Sequence, residues 1–227
     1  MVVVHHLENS RSQRILWALE ELGVPYEVKR YERNKKNNLA PDSLKAVHPL
    51  GKSPVITDNG NQDDIVTVAE SGAIIEYLVD KYGDGLLAVS NDEKHRRDYQ
   101  YWLHFAEGSL MPPLVLKLVF EKVRKSPMPF FAKPIAKSIS SKVMKTFVGP
   151  SIRNNMAFIE EYLASHKWFA GDKLTGADIQ MSFPLEACVA TGVADQQYPN
   201  IIAYVKRIHA RPAYQKALAE GGPYNYA

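Results

Sequence analysis

Cysteine is almost absent from this sequence: Cys188 is the single one in 227 residues. One thiol excludes an internal disulfide and a thiolate metal cluster, so no metal site is expected. The opening stretch MVVVHHLENSRSQR has neither the basic start nor the long apolar run of a secretory signal. No window is expected to reach the ~18 apolar residues that cross a bilayer. An excess of one charge is missing too, since the formal net charge is only +3. Nucleic-acid binders usually concentrate basic residues in a stripe. Here the densest basic stretch runs from Lys117 to Lys145 through Lys122, Arg124, Lys125, Lys133, Lys137 and Lys142. Apolar residues dilute it, and it reads as a solvated helix face rather than an anion or lipid surface. These absences suggest a soluble protein of a reducing, cytoplasmic compartment, with no nucleic-acid partner and no membrane span.

What is present is a 45% hydrophobic fraction, enough for one large domain or two small ones. Val2 to His6 reads as a strand. Ile15, Leu16, Leu19 and Leu22 recur at helical spacing until Gly23-Val24-Pro25 stops the run. Tyr26 to Tyr31 alternates as a second strand, and one helical turn follows around Asp42 to Val47. Pro54 to Thr57 and Ile65 to Val68 read as strands around the turn Asp58-Asn59-Gly60-Asn61. Ser71 to Tyr82 reads as a helix. The order is β-α-β, a loop, then β-β-α, over residues 1–83. Residues 84–91 read as a linker, and residues 92–227 as an all-helical domain. Asn91 or Asp92 caps its first helix, and Pro112-Pro113 is expected to bend or break it. Pro127, Pro129 and Pro134 mark a second break, with helices near 135–165, 175–190 and 198–219.

Three segments carry chemistry. Asn9-Ser10-Arg11-Ser12-Gln13-Arg14 lies between the first strand and the first helix, where unpaired N–H groups favour an anion. A hydroxyl there either donates to a bound thiolate or merely caps the helix. In His48-Pro49-Leu50-Gly51-Lys52-Ser53-Pro54, Ser53 before a cis proline offers its backbone to an extended peptide, and Lys52 meets a carboxylate. The alternative is an ordinary turn before an edge strand. In Glu70-Ser71, one residue suits an ammonium group and the other a carboxylate; the alternative is a capping serine beside an exposed glutamate.

Taken together and in this order, these segments resemble the cytosolic glutathione transferase superfamily, and in particular a fungal and bacterial serine-type, theta-like group. The likeness extends through Trp102-Leu103-His104-Phe105-Ala106-Glu107-Gly108-Ser109-Leu110-Met111-Pro112-Pro113. It also takes in Leu174-Thr175-Gly176-Ala177-Asp178-Ile179, where Thr175 and Asp178 form a structural capping box. The resemblance implies a thioredoxin-like N-terminal domain with a mixed four-stranded sheet, followed by an all-α C-terminal domain. It implies that Ser10 holds the thiolate of reduced glutathione, with Ser12 as its rival and Asn9 and Arg11 as helpers. Lys52 would meet the glycine carboxylate, Ser53 with Pro54 the cysteinyl backbone, and Glu70 with Ser71 the γ-glutamyl end. Ser53 is a departure, because many relatives carry valine or isoleucine there.

His104, Glu107, Ser109 and Met111 are the candidates for an electrophile site. Leu114, Leu116, Leu118, Val119 and Phe120 read as core, as do Trp168 and Phe169. The implied function is conjugation of glutathione, a cosubstrate, to apolar electrophiles in detoxification, with no tightly bound cofactor. Glutathione-dependent peroxide or disulfide reduction and a non-catalytic binding module are the alternatives. A homodimer is implied as well, with Tyr99, Tyr101 and Trp102 offered as interface aromatics.

Overall fold

The computed structural model describes residues 1–60 and 65–227, so Asn61 of the expected turn lies outside the described residues. The first part of the chain runs β1 (Val2–Leu7), α1 (Gln13–Leu22), β2 (Tyr26–Tyr31), a 3-10 turn (Asp42–Ala46), β3 (Val55–Asp58), β4 (Val66–Ala69) and α2 (Ser71–Tyr82). The strands form one sheet in the order β2-β1-β3-β4. The β1–β2 pair is parallel and the other two pairs are antiparallel. This is the expected thioredoxin-like arrangement.

A central β1 explains why His5 and His6 are buried beside Val2, Val4 and Leu7. Ile15, Leu16 and Leu19 bury the inner face of α1, and Gly23 ends the helix at φ 65°, a left-handed conformation that suits glycine. Asp58, at the end of β3, is fully buried and clamps α2 to the sheet. It accepts hydrogen bonds from Tyr77 (2.8 Å), Lys81 (2.9 Å) and Tyr82 (2.5 Å). That clamp holds the C-terminal half of α2 against the sheet.

After Tyr82 the regular elements among the described residues are helical, seven in all: α3 (Glu93–Phe105), α4 (Met111–Lys125), α5 (Ala132–Val143), α6 (Gly149–Ser165), α7 (Gly176–Ala190), α8 (Pro199–His209) and α9 (Pro212–Gly221). Residues 84–91 are docked rather than loose, because Leu87 is buried and its carbonyl accepts from Gly176 N–H at 2.8 Å. Asp92 caps α3 by accepting from the His95 N–H at 2.9 Å. The capping box at the start of α7 is closed, with Asp178 accepting from the Thr175 N–H at 2.9 Å. Trp168 and Phe169 are buried as expected.

Three expectations need correction. Pro112-Pro113 does not break the helix. α3 and α4 join through a π turn (Ala106–Leu110) into one run, Glu93–Lys125. Pro113 has no N–H for the Ser109 carbonyl, and Asn155 Nδ2 donates to that carbonyl instead at 2.9 Å. A second π turn (Met144–Val148) likewise joins α5 to α6. The joined helix Glu93–Lys125 consequently meets, by length and composition, the criterion for a membrane span. Trp102, Leu103, Phe105, Ala106, Leu110 and Met111 along it are buried, although only 33% of its apolar window is. Lastly, the row Leu114, Leu116, Leu118, Val119 and Phe120 is core only in part: Leu114 and Leu116 are half-buried against the core, Phe120 is half-buried, and Leu118 and Val119 are exposed.

Candidate active site

The site forms where the end of β1, the N-terminus of α1, the Ser53-Pro54 turn and the N-terminus of α2 converge. Two residues there have left-handed backbones, Asn9 at φ 48° and Glu70 at φ 69°. Asparagine tolerates that region through its short polar side chain. Glutamate gains nothing from it locally, so the fold holds Glu70 in a strained conformation at the mouth of the site. The Ser53–Pro54 peptide is cis, as expected. Ser53 Oγ donates to the His5 carbonyl at 2.9 Å, which ties this turn to β1.

Ser10 and Ser12 are both buried, and their hydroxyls lie 2.8 Å apart. They are not equivalent. Ser12 does not cap α1 with its side chain. Its Oγ instead turns back onto β1, 2.9 Å from His6 Nδ1 and 3.3 Å from both the N–H and the carbonyl of Leu7. Ser10 Oγ accepts from the Ser12 N–H at 3.2 Å. Burial, helped by the charge of Arg30 and opposed by a Gly221 backbone hydrogen bond, pushes the His6 imidazole down to about 4. A neutral histidine therefore stands behind the serine pair at neutral pH.

Charge is concentrated beneath the site. Arg14 on α1 is buried; it donates to the Ser71 hydroxyl at 2.9 Å and to the Gln180 carbonyl, and pairs with Glu107. Arg11 Nε donates to both Glu107 oxygens at 2.9 and 3.0 Å. Burial pushes the Glu107 carboxyl up, but Arg14 and Arg11 outweigh it and hold the group below its ordinary value. Both guanidinium groups also lie over the Phe183 ring, 5.3 and 5.7 Å from its centroid.

Two adjoining cavities open here. One, of about 490 Å³, is lined by Asn9, Ser10, Arg11, Lys52, Ser53 and Phe183 among others. The second, of about 310 Å³, is lined by Lys52, Ser53, Pro54, Glu70, Ser71 and Glu107. The structure thus brings Ser10, Lys52, Ser53, Pro54, Glu70 and Ser71 together. Of the four electrophile-site candidates, only Glu107 reaches these walls, and Arg11 and Arg14 already engage it. His104 and Ser109 are exposed on the long helix, and Met111 is buried in the core. Sequence reasoning gave no role to His6, Arg14 or Phe183, although Arg14 stands in the first chemistry-bearing segment. An arginine one position before the apolar series of α1 was the available signal for Arg14. Nothing in the linear chain connects Phe183 to residue 11.

A thioredoxin-like domain and a helical domain, with a polar cleft at two helix N-termini, define the class of protein. The family model described as "Glutathione S-transferase, N-terminal domain" matches residues 1–80, and "Glutathione S-transferase, C-terminal domain" matches residues 135–212. Glutathione S-transferase 3 of Schizosaccharomyces pombe is 38% identical over 213 residues, 94% of this chain and 85% of that protein. Glutathione S-transferase 1 of Saccharomyces cerevisiae is 34% identical over 228 residues, 97% of each. A crystal structure of a glutathione S-transferase from Actinobacillus pleuropneumoniae superimposes with a TM-score of 0.76 at 31% identity, covering 99% of this chain and 94% of that one. The chain belongs to the glutathione S-transferase family.

Proposed function

We propose that this glutathione transferase is of the serine type, with the Ser10 hydroxyl stabilising the thiolate of reduced glutathione for attack on an apolar electrophile. The carrying observation is that Ser10 lines the larger cavity, whereas Ser12 is engaged by His6 and Leu7 behind it. The thiol loses its proton to solvent, and the thiolate sulfur forms a new C–S bond as the electrophile's leaving group departs with its bonding pair, as chloride in the case of a chlorinated aromatic. The N-terminus of α1, the Ser10 O–H and the Arg11 and Arg14 charges all favour the anion, each pKa unit being worth about 1.4 kcal/mol. Lys52 takes the glycine carboxylate, the Ser53 backbone pairs with the cysteinyl unit beside Pro54, and Glu70 with Ser71 takes the γ-glutamyl end. Arg14 behind Ser71 supports an anion at that hydroxyl.

The role is detoxification in the cytoplasm by a homodimer, without a tightly bound cofactor. Peroxide or disulfide reduction would use the same thiolate. A protein thiol is disfavoured, because Cys188 is fully buried and burial pushes its thiol up to about 12.

Retention on immobilised glutathione, followed by conjugation of a chlorinated aromatic, tests the reading. A protein that binds the column and turns nothing over is a binding module. Ser10→Ala is expected to lower conjugation by roughly 10- to 1,000-fold, with glutathione affinity within a few-fold. Full activity in Ser10→Ala with loss in Ser12→Ala would move the role to Ser12.

A further inference from the structure

Away from the cleft, the hairpin of α4 and α5 packs on the core at its base, through Leu114, Leu116, Val143 and Met144, and projects at its apex. Between residues 114 and 147 only Ser140 is buried. The apex reads Ser126-Pro127-Met128-Pro129-Phe130-Phe131. Phe130 is 85% exposed and Phe131 66% exposed, with their rings edge to face at 5.7 Å between centroids. Ile135 and Ile139 continue the apolar surface along α5, at 61% and 54% exposed. Single exposed apolar residues need no explanation, but a contiguous patch of this kind marks an interaction site.

The charge of this stretch, read from the sequence as a solvated helix face, points to what the exposed apex meets. Between Lys122 and Ile159 the chain has no acidic residue, while it carries Lys122, Arg124, Lys125, Lys133, Lys137, Lys142, Lys145 and Arg153. Since the whole chain is only +3, the remainder is net negative. A second copy of this hairpin would bring like charges together. An anionic bilayer supplies both the negative surface and the apolar layer, and long lysine stems let the ammonium groups stay among headgroups while aromatic rings enter below them.

We propose that this hairpin docks on an anionic lipid surface, Phe130 and Phe131 entering at the level where headgroups meet acyl chains and Lys125, Lys133 and Lys137 contacting the headgroups. The inference is independent of the reading of the cleft. It is tested by flotation of the full chain with vesicles of phosphatidylcholine alone, or of phosphatidylcholine mixed with phosphatidylserine. Binding is expected to the mixed vesicles and not to the neutral ones, and to weaken as salt rises. Phe130→Ser with Phe131→Ser should reduce partitioning by at least about tenfold. Lys133→Glu with Lys137→Glu should weaken it on anionic vesicles. Both double variants change exposed side chains, and unchanged circular dichroism and retention on immobilised glutathione would verify that they fold. Three results would overturn the proposal: no binding to the mixed vesicles, equal binding to both compositions, or binding indifferent to the phenylalanine pair. A fall in oligomeric mass of the phenylalanine variant without vesicles would assign the face to a second copy instead.

Discussion

His6 turns a position on the central strand into support for the active-site turn. Its ring stays neutral because burial outweighs the benefit of protonation. The sign of its pH effect follows: the stability it contributes is present above its ordinary 6.5 and is lost as pH falls through about 4. Asp178 acts in the opposite sense. Burial raises its carboxyl to about 6, so its contribution is present below 3.8 and lost as pH rises through that raised value. The two trends offset each other in the parent protein, and the effect must be read from a difference. His6→Asn keeps a polar group near Ser12 but does not titrate in this range. The stability gap between parent and variant should narrow by about 3 kcal/mol as pH falls from 6.5 to 4, measured by urea unfolding.

At the scale of elements, the long helix presents Glu107 to α1, and its two arginine contacts differ in energy. Arg11 is 34% exposed on its side chain, whereas Arg14 is 1% exposed. Glu107→Ala should therefore cost about 3 kcal/mol, mostly by leaving Arg14 unpaired. Arg11→Ala should cost under about 1 kcal/mol, because a half-solvated pair is worth little. Equal shifts in urea midpoint for the two variants would contradict this ranking. The order of elements up to Tyr82 was legible in the sequence because strand alternation, helical spacing and Gly23 each act locally. The continuous helix through Pro112-Pro113 was not. The cost of a proline depends on whether its orphaned carbonyl finds another donor, and that donor is Asn155 on a different helix. The site divides along the same line. Ser10, Lys52, Ser53, Glu70 and Ser71 sit at turns and helix starts, where local chemistry announces itself. Arg14 and Phe183 act through partners far away along the chain, and His6 meets Ser12 only because the turn after β1 folds back onto the strand.

The whole molecule is proposed to pair with a second copy. Of the aromatics suggested for the interface, Tyr99 and Trp102 are buried within this chain, and Trp102 packs on Phe158, Tyr162 and Phe169. Tyr101 is 49% exposed beside Phe158, and remains available to a partner. Sedimentation at micromolar concentration is expected to give a mass near twice 25.6 kDa, and a single active species at chain mass would refute pairing. Arg14 carries a consequence for ancestry. Its cation comes from the first helix, its counter-charge from the long helix and its carbonyl partner from α7. A hybrid joining the sheet half of this protein to a relative's helical half would entomb an uncompensated cation under Ser71 unless that relative brought its own carboxylate. Lineages holding this arginine must therefore inherit both halves together, so recombination at the junction between them is expected to leave few survivors.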